Sequence, residues 1–190
     1  MNFNIPGKES KLSITGERYV THWRGQTELE HFHRYLFAAE YCRDKVVLDI
    51  ASGEGYGSFL LMQTAQKVCG VDADRQAVEA AARKYGSETL SFHAGRCEDI
   101  PFDGHTFDVV VSFETLEHID EDKQVRFFEE IKRVLKPNGL LIMSSPEKTV
   151  YDIFAPDNRF HVHEVTQAEF TGLIAAHFKH HGLCSQNFFI

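Results

Sequence analysis

The sequence predicts a doubly wound α/β domain, a mostly parallel sheet with helices on both faces. Three observations lead there. Short apolar runs alternate with helical stretches, as strands buried on both sides of a parallel sheet require. The first clear run, Lys45–Ile50 (KVVLDI), carries an acid near its end and passes into a glycine-rich turn. The 190 residues are 43% hydrophobic and 25% charged, enough for one large core and too few for two comfortable domains.

The elements follow in order. Residues 1–44 read as an N-terminal helical segment, rich in aromatics and histidine, lying over the mouth of the site. Residues 45–190 read as the ligand-binding domain. Lys45–Ile50 is the first strand and Ser58–Ala65 the helix after it. Lys67–Val71 is the second strand. Asp74 caps the Ala-rich helix Arg75–Tyr85, which Gly86 closes. Thr89–His93 and Phe107–Phe113 (FDVVVSF) are the third and fourth strands. Asp122–Leu135 is an amphipathic helix with Val125, Phe128, Ile131 and Leu135 on one stripe, stopped by Pro137 and Gly139. Leu140–Ser144 is the fifth strand, followed by a helix near Gln167–His177 and a strand near His180–Gln186. Ligands of such sheets bind beyond the carboxyl ends of the strands.

Charge and cysteine usage narrow the partners. Twenty Lys+Arg against 28 Asp+Glu leave a net charge of −8, which argues against nucleic acid or an anionic membrane as partner. The four cysteines, at 42, 69, 97 and 184, form no C-x-x-C pair and suggest no zinc ribbon or disulfide framework. No apolar stretch is long enough to span a membrane, and Met1–Lys11 lacks a signal-peptide pattern. The chain reads as soluble and cytoplasmic. Its 11 histidines are an excess, clustered at His31/His33, His161/His163 and His177/His180/His181.

After the first strand comes Asp49-Ile-Ala51-Ser-Gly53-Glu-Gly55-Tyr-Gly57. Glycines here let the backbone approach a ligand closely. A dinucleotide site would want G-x-G-x-x-G, but counted from Gly53 the sixth position is Ser58. A carboxylate at Asp49 suits a ligand carrying an ammonium group rather than a pyrophosphate. Asp72, at the end of the second strand, is placed to accept both hydroxyls of a ribose. The alternative for Asp72 and Asp74 is simple helix capping.

The runs VLDIASGEGYG, GVDAD, AGRCEDIPF, FDVVVSFETLEHI and LKPNGLLIMSSP, over Lys45–Pro146, together resemble the class I S-adenosylmethionine-dependent methyltransferases. They are similar to the small-molecule branch that includes ubiquinone-pathway enzymes. That resemblance implies a Rossmann-like sheet and S-adenosylmethionine as cofactor. It puts Ala51, Gly53, Gly55 and Gly57 around the methionyl part with Asp49, Asp72 on the ribose, Ala73 beside the adenine, and Cys97 and Glu98 at the adenine edge. Many relatives carry Asp where this chain has Arg96, so Glu98 or Asp99 would take over as acceptor, unless Asp99 is only a turn residue before Pro101. Gly16–Tyr19, Glu28–Ala38 and Asn158–Thr166 are similar to methyltransferase domains of bacterial surface-glycan assembly. By that likeness Arg34 and Tyr35 reach the cofactor carboxylate; otherwise His31, Arg34 and Tyr35 pack a helix on the sheet.

The fourth strand runs into Glu114-Thr-Leu-Glu117-His118. On a helical turn these three side chains would share one face and offer a divalent cation such as magnesium two carboxylates and an imidazole, with His161 as fourth ligand. The arrangement resembles that of small-RNA 2′-O-methyltransferases, where an ion holds vicinal hydroxyls. Two other readings stand beside it: His118 as a metal-free general base assisted by Glu117, or a helix-capping acid with a pocket-lining His.

These readings converge on O-methylation of a sugar or other hydroxylated small molecule. The alternatives are a nucleotide-binding oxidoreductase, which fits the glycine spacing poorly, a non-catalytic docking module of a larger glycan enzyme, and an RNA 2′-O-methyltransferase. The resemblance also implies a closing antiparallel hairpin, for which the apolar end Phe188–Ile190 leaves no room. The sequence therefore reads as lacking the final strand and as part of a longer chain.

Overall fold

The computed structural model describes residues 26–154, 158 and 160–186. Among the described residues five strands form one sheet in the order β3-β2-β1-β4-β5, every neighbouring pair parallel. They are β1 (Val46–Ile50), β2 (Lys67–Asp72), β3 (Leu90–Ala94), β4 (Phe107–Phe113) and β5 (Leu135–Ser144). The helices are α1 (Gln26–Tyr41), α2 (Tyr56–Met62), α3 (Arg75–Tyr85), α4 (Glu121–Val134), α5 (Lys148–Phe154) and α6 (Gln167–His177). The doubly wound, mostly parallel reading of the sequence is therefore correct.

Alternation along the central strands divides the core. Val47, Val109 and Val111 face a cluster with Tyr35, Ala38 and Cys42 of the α1 region and Leu60 and Leu61 of α2. Leu48, Ile50 and Val110 face the opposite cluster, which holds Phe127, Phe128, Ile131 and Val134 of α4. Successive side chains on a strand point to opposite faces, so strands covered on both sides read as unbroken apolar runs. Phe170, Leu173 and Ile174 of α6 form an outer layer against the α4 cluster.

Helix termini follow their local chemistry. Asp74 caps α3 by accepting the Gln76 N–H at 2.8 Å. α4 has Glu121 and Asp122 in its first turn and Lys132 and Arg133 in its last, both favourable to the helix dipole. α6 opens with a reciprocal capping box between Thr166 and Glu169.

Several expectations need correction. Val125 is 44% exposed, while Gln124 occupies the buried stripe of α4 together with Phe127. The Gln124 amide is admitted because Nε2 donates to the carbonyls of Leu116 and His163, at 2.9 and 3.0 Å. α4 ends at Val134 rather than Leu135, which already begins β5 opposite Phe107. α2 starts at Tyr56 instead of Ser58, launched by the left-handed Gly55. No strand forms near His180–Gln186. There the Gln186 side chain binds α1 instead, accepting from Arg34 Nε at 2.6 Å and donating to the Glu30 carbonyl at 3.2 Å. Helix α5 falls where the sequence predicts no element; Glu147 caps it by accepting the Val150 N–H at 3.0 Å. Gly16–Tyr19, Arg159 and Phe188–Ile190 lie outside the described residues. Among the described residues no helix is long and apolar enough to cross a membrane.

Candidate active site

The site is built at the carboxyl ends of the strands. Beyond β1 the chain turns through three residues with positive φ, Ala51 (60°), Gly53 (51°) and Gly55 (79°). An Ala in this region costs about 1–2 kcal/mol, so the surroundings must hold it there. The loop is tied back by Ser52 N–H to the Val71 carbonyl at 3.0 Å and Gly55 N–H to the Ser52 carbonyl at 2.9 Å. The three glycines then differ in purpose. A Cβ on Gly53 would meet nothing within 4 Å, so this part of the loop faces open space. One on Gly55 would fall 2.7 Å from the Phe92 ring, and one on Gly57 2.1 Å from the Tyr35 ring. Gly57 thus seats α1 on α2.

Asp49 is fully buried on β1. Its carboxylate accepts from Ser58 Oγ at 2.6 Å and from the Tyr35 hydroxyl at 3.2 Å. Burial raises its pKa to about 7, against the pull of those two donors. Asp72 closes the loop from the neighbouring strand. One oxygen accepts the Gly53 N–H at 2.8 Å and the other the Asp74 N–H at 2.9 Å. Each oxygen retains a second lone pair for a ligand hydroxyl. Ala73 follows, exposed at the tip of β2.

The turn after β3 is firmly held. Asp99 N–H returns to the Arg96 carbonyl at 3.2 Å and closes the turn. Glu98 is occupied by the Arg96 guanidinium at 2.6 Å and by the Cys97 thiol at 3.3 Å. Burial and the Glu98 contact push the Cys97 thiol up to about 12. Arg96 therefore neutralises the neighbouring acid that the sequence offered as its substitute.

At the end of β4 the chain leaves the sheet through Glu114, which has φ 52°. A 3-10 turn, Leu116–His118, follows in place of an α-helix. That geometry overturns the expected single face of three ligands. Glu114 turns away to accept from Ser144 Oγ at 2.6 Å and to pair with Arg34 at 3.4 Å. Arg34 is thereby engaged by Glu114 and Gln186.

Glu117, His118 and His161 do come together, one donor atom of each within 4.8 Å of the others. His118 Nδ1 is 2.9 Å from the Phe160 carbonyl, and a carbonyl only accepts, so Nδ1 carries the hydrogen and Nε2 keeps the lone pair. His161 Nδ1 lies 2.6 Å from Glu164 Oε1 and is likewise the donor. The Glu117 carboxylate is 1% exposed, and burial followed by the Glu114 charge raises its pKa well above the ordinary range. Its Oε2 accepts from Ser145 Oγ at 3.2 Å, while its Oε1 has no hydrogen-bond partner among the described residues. The Glu117 carbonyl accepts from Val162 N–H at 2.7 Å and His163 N–H at 3.2 Å, which clamps the distant histidine loop onto the turn.

Sequence reasoning missed Glu164, Ser145 and the service of Ser58 to Asp49. Ser58 was visible only as the residue that breaks the dinucleotide pattern. His177 and the other late histidines stand apart from the cluster; His177 stacks on Phe128 and bonds the Leu173 carbonyl.

A family model described as a methyltransferase domain matches residues 48–143. A probable S-adenosylmethionine-dependent methyltransferase of Mycolicibacterium smegmatis is 32% identical over 172 residues, 87% of this chain and 64% of that protein. An erythromycin 3''-O-methyltransferase of Saccharopolyspora erythraea is 36% identical over 101 residues, 50% of this chain and 32% of its own. Among solved structures, the YcgJ protein from Bacillus subtilis superposes with a TM-score of 0.67 at 29% identity, covering 77% of this chain and 68% of that one. The chain thus spans less than two thirds of the length of these two curated relatives.

Proposed function

The chain belongs to the class I S-adenosylmethionine-dependent methyltransferases, and on that premise we propose that it transfers the sulfonium methyl group to a hydroxyl of a sugar or similarly hydroxylated small acceptor. One observation carries the reading. The acids suited to the cofactor, Asp49 and Asp72, stand at the ends of β1 and β2, and the Glu117–His118–His161 cluster stands just beyond the adjacent β4. Donor and acceptor sites therefore share one rim of the sheet, as methyl transfer in line requires.

In this reading Asp49 would hold the cofactor's ammonium group, Asp72 its ribose and the Ala51–Gly57 loop its methionyl part. Ala73 flanks the adenine and the Cys97–Glu98 turn borders its edge. The acceptor oxygen lies at the cluster, where Glu117 and His118 promote loss of its proton. The cofactor would supply an electrophilic methyl carbon, to which the oxygen would bond as the carbon–sulfur bond broke. The products are a methyl ether, a proton and the neutral thioether S-adenosylhomocysteine. The similarity to an O-methyltransferase supports an oxygen acceptor. A cytoplasmic setting suits four free cysteines.

Calorimetry with S-adenosylhomocysteine tests the first half. We expect saturable binding, lost in Asp49→Ala and kept in His177→Ala; no binding to the folded protein ends the reading. Transfer from radiolabelled S-adenosylmethionine to free, nucleotide-linked and lipid-linked sugars tests the second. Label appearing only on amines or thiols would refute the oxygen acceptor.

A further inference from the structure

We propose that Glu117, His118 and His161 form a site for a single divalent cation of the borderline class, such as zinc or cobalt in preference to magnesium, with Glu164 and the Phe160 carbonyl as its outer support. The ion's use in catalysis rests on the methyl-transfer reading; its binding does not.

The geometry is that of a site short of a cation rather than of a completed hydrogen-bond network. Glu117 Oε1 and His118 Nε2 face each other at 4.0 Å, too far for a hydrogen bond. Oε1 is buried and has no hydrogen-bond partner among the described residues. An unsatisfied buried carboxylate oxygen is costly, and a cation would remove the cost. Donors around a tetrahedral ion with bonds near 2.0–2.1 Å lie about 3.4 Å apart, so small side-chain rotations close the present set onto one.

The surroundings prepare both imidazoles as ligands. Each commits its Nδ1–H elsewhere, His118 to the Phe160 carbonyl and His161 to Glu164, and so fixes Nε2 as the basic nitrogen. A carboxylate or carbonyl behind an imidazole is the usual outer support of a metal-bound histidine. Tyr151 stacks on His161 with ring centroids 4.7 Å apart, which limits its rotation.

The donor set selects the class of ion. Two imidazoles and one carboxylate suit borderline transition ions, whereas magnesium favours oxygen donors. Glu114, which would tip the balance toward oxygen, is drawn off by Arg34 and Ser144. A bound ion would lower the pKa of an acceptor hydroxyl that reached it.

The test titrates cobalt into chelator-stripped full chain, followed by its ligand-field absorption, with zinc displacement by calorimetry. One cobalt ion per chain is expected, displaced by zinc and indifferent to millimolar magnesium. His161→Ala and Glu117→Gln should each weaken binding by at least about 100-fold, and Glu164→Gln by about 10–100-fold. His177→Ala, whose imidazole stacks on Phe128 apart from the cluster, should leave the affinity unchanged. Absence of stoichiometric binding to the folded wild type overturns the proposal, as does affinity undiminished in His161→Ala. Should a variant fail to fold, His118→Ala supplies the same comparison. Loss of S-adenosylhomocysteine binding with cobalt binding intact would condemn the methyl-transfer reading alone; undiminished turnover in chelator would condemn the ion's catalytic use alone.

Discussion

The Tyr35 hydroxyl donates to Asp49 Oδ1 at 3.2 Å, and its ring lies edge-on to Phe113, with centroids 5.0 Å apart. One α1 side chain therefore touches the acid of β1, the end of β4 and the first turn of α2. Ala38 and Cys42, one and two turns further on, are fully buried in the same cluster. This part of the N-terminal region is core as much as cover. Movement of α1 would disturb the floor of the site.

The Asp49 carboxyl sets a pH dependence. Its pKa is raised from 3.8 to about 7, so the folded state holds this proton more tightly than the unfolded chain. Its contribution to stability is full below about pH 4 and is lost as pH rises through about 7. The effect is on the order of 4 kcal/mol. Asp49→Asn should therefore melt higher than wild type at pH 8, with the advantage shrinking toward pH 4. The cofactor's ammonium group wants the ionised form, so wild-type affinity for S-adenosylhomocysteine should fall about tenfold per pH unit below 7. Asp49→Asn should bind weakly without that slope. Calorimetry and melting curves from pH 5 to 8 read both effects.

Tyr35 and Gly57 test the seat of α1 from its two sides. Tyr35→Phe keeps the packing and removes one hydrogen bond, a loss of about 1 kcal/mol. Because that bond holds the Asp49 pKa down, the fall in cofactor affinity should begin at higher pH. Gly57→Ala instead drives a methyl group into the Tyr35 ring and should cost about 1–3 kcal/mol. Denaturant unfolding and the pH profile together separate the two variants.

Much of the fold was legible because its strands are buried on both faces. β1 and β4 are apolar apart from Asp49, Asp108 and Ser112, and the acids at strand tips are short-range signals. The amphipathic stripe of α4 was misplaced for the opposite reason. Nothing local announces that Gln124 finds two carbonyls in the core, so Val125 looked the better inward residue. Glu114 was misread because E-x-x-E-H spacing implies a shared face only on a regular helix, and a left-handed residue cancels it. Glu164 was legible only as sequence, three residues beyond His161; that its carboxylate backs the imidazole depends on the clamp to Glu117.

Asp72 has two duties that one substitution can part. Both oxygens already accept backbone N–H groups of the loop and of the start of α3. Asp72→Asn keeps an acceptor on only one side, so loop and ribose contacts weaken together. Hydrogen bonds to a charged group contribute about 1.5–3 kcal/mol, which predicts a loss of roughly 10–100-fold in S-adenosylhomocysteine affinity. Adenosine should suffer the larger loss and methionine a smaller one, since both depend on the loop but only adenosine carries the ribose. Equal losses for both ligands would assign Asp72 to loop support alone.

Gln124 couples the two halves of the acceptor side. Its buried amide joins the Leu116 carbonyl of the turn to the His163 carbonyl of the distant loop. Gln124→Leu keeps the volume but strands the His163 carbonyl and leaves the Leu116 carbonyl only the Ile119 N–H at 3.4 Å, at about 1–3 kcal/mol in stability. The loop that carries His161 would then rest on the Val162 and His163 bonds to Glu117 and on the His118 bond to the Phe160 carbonyl. Methyl transfer should fall while S-adenosylhomocysteine affinity stays near wild type, because the cofactor loop touches neither carbonyl. Amide exchange at Val162 and His163 should quicken in step. A variant that lost cofactor binding to the same degree would show that the turn and the cofactor loop form one cooperative unit.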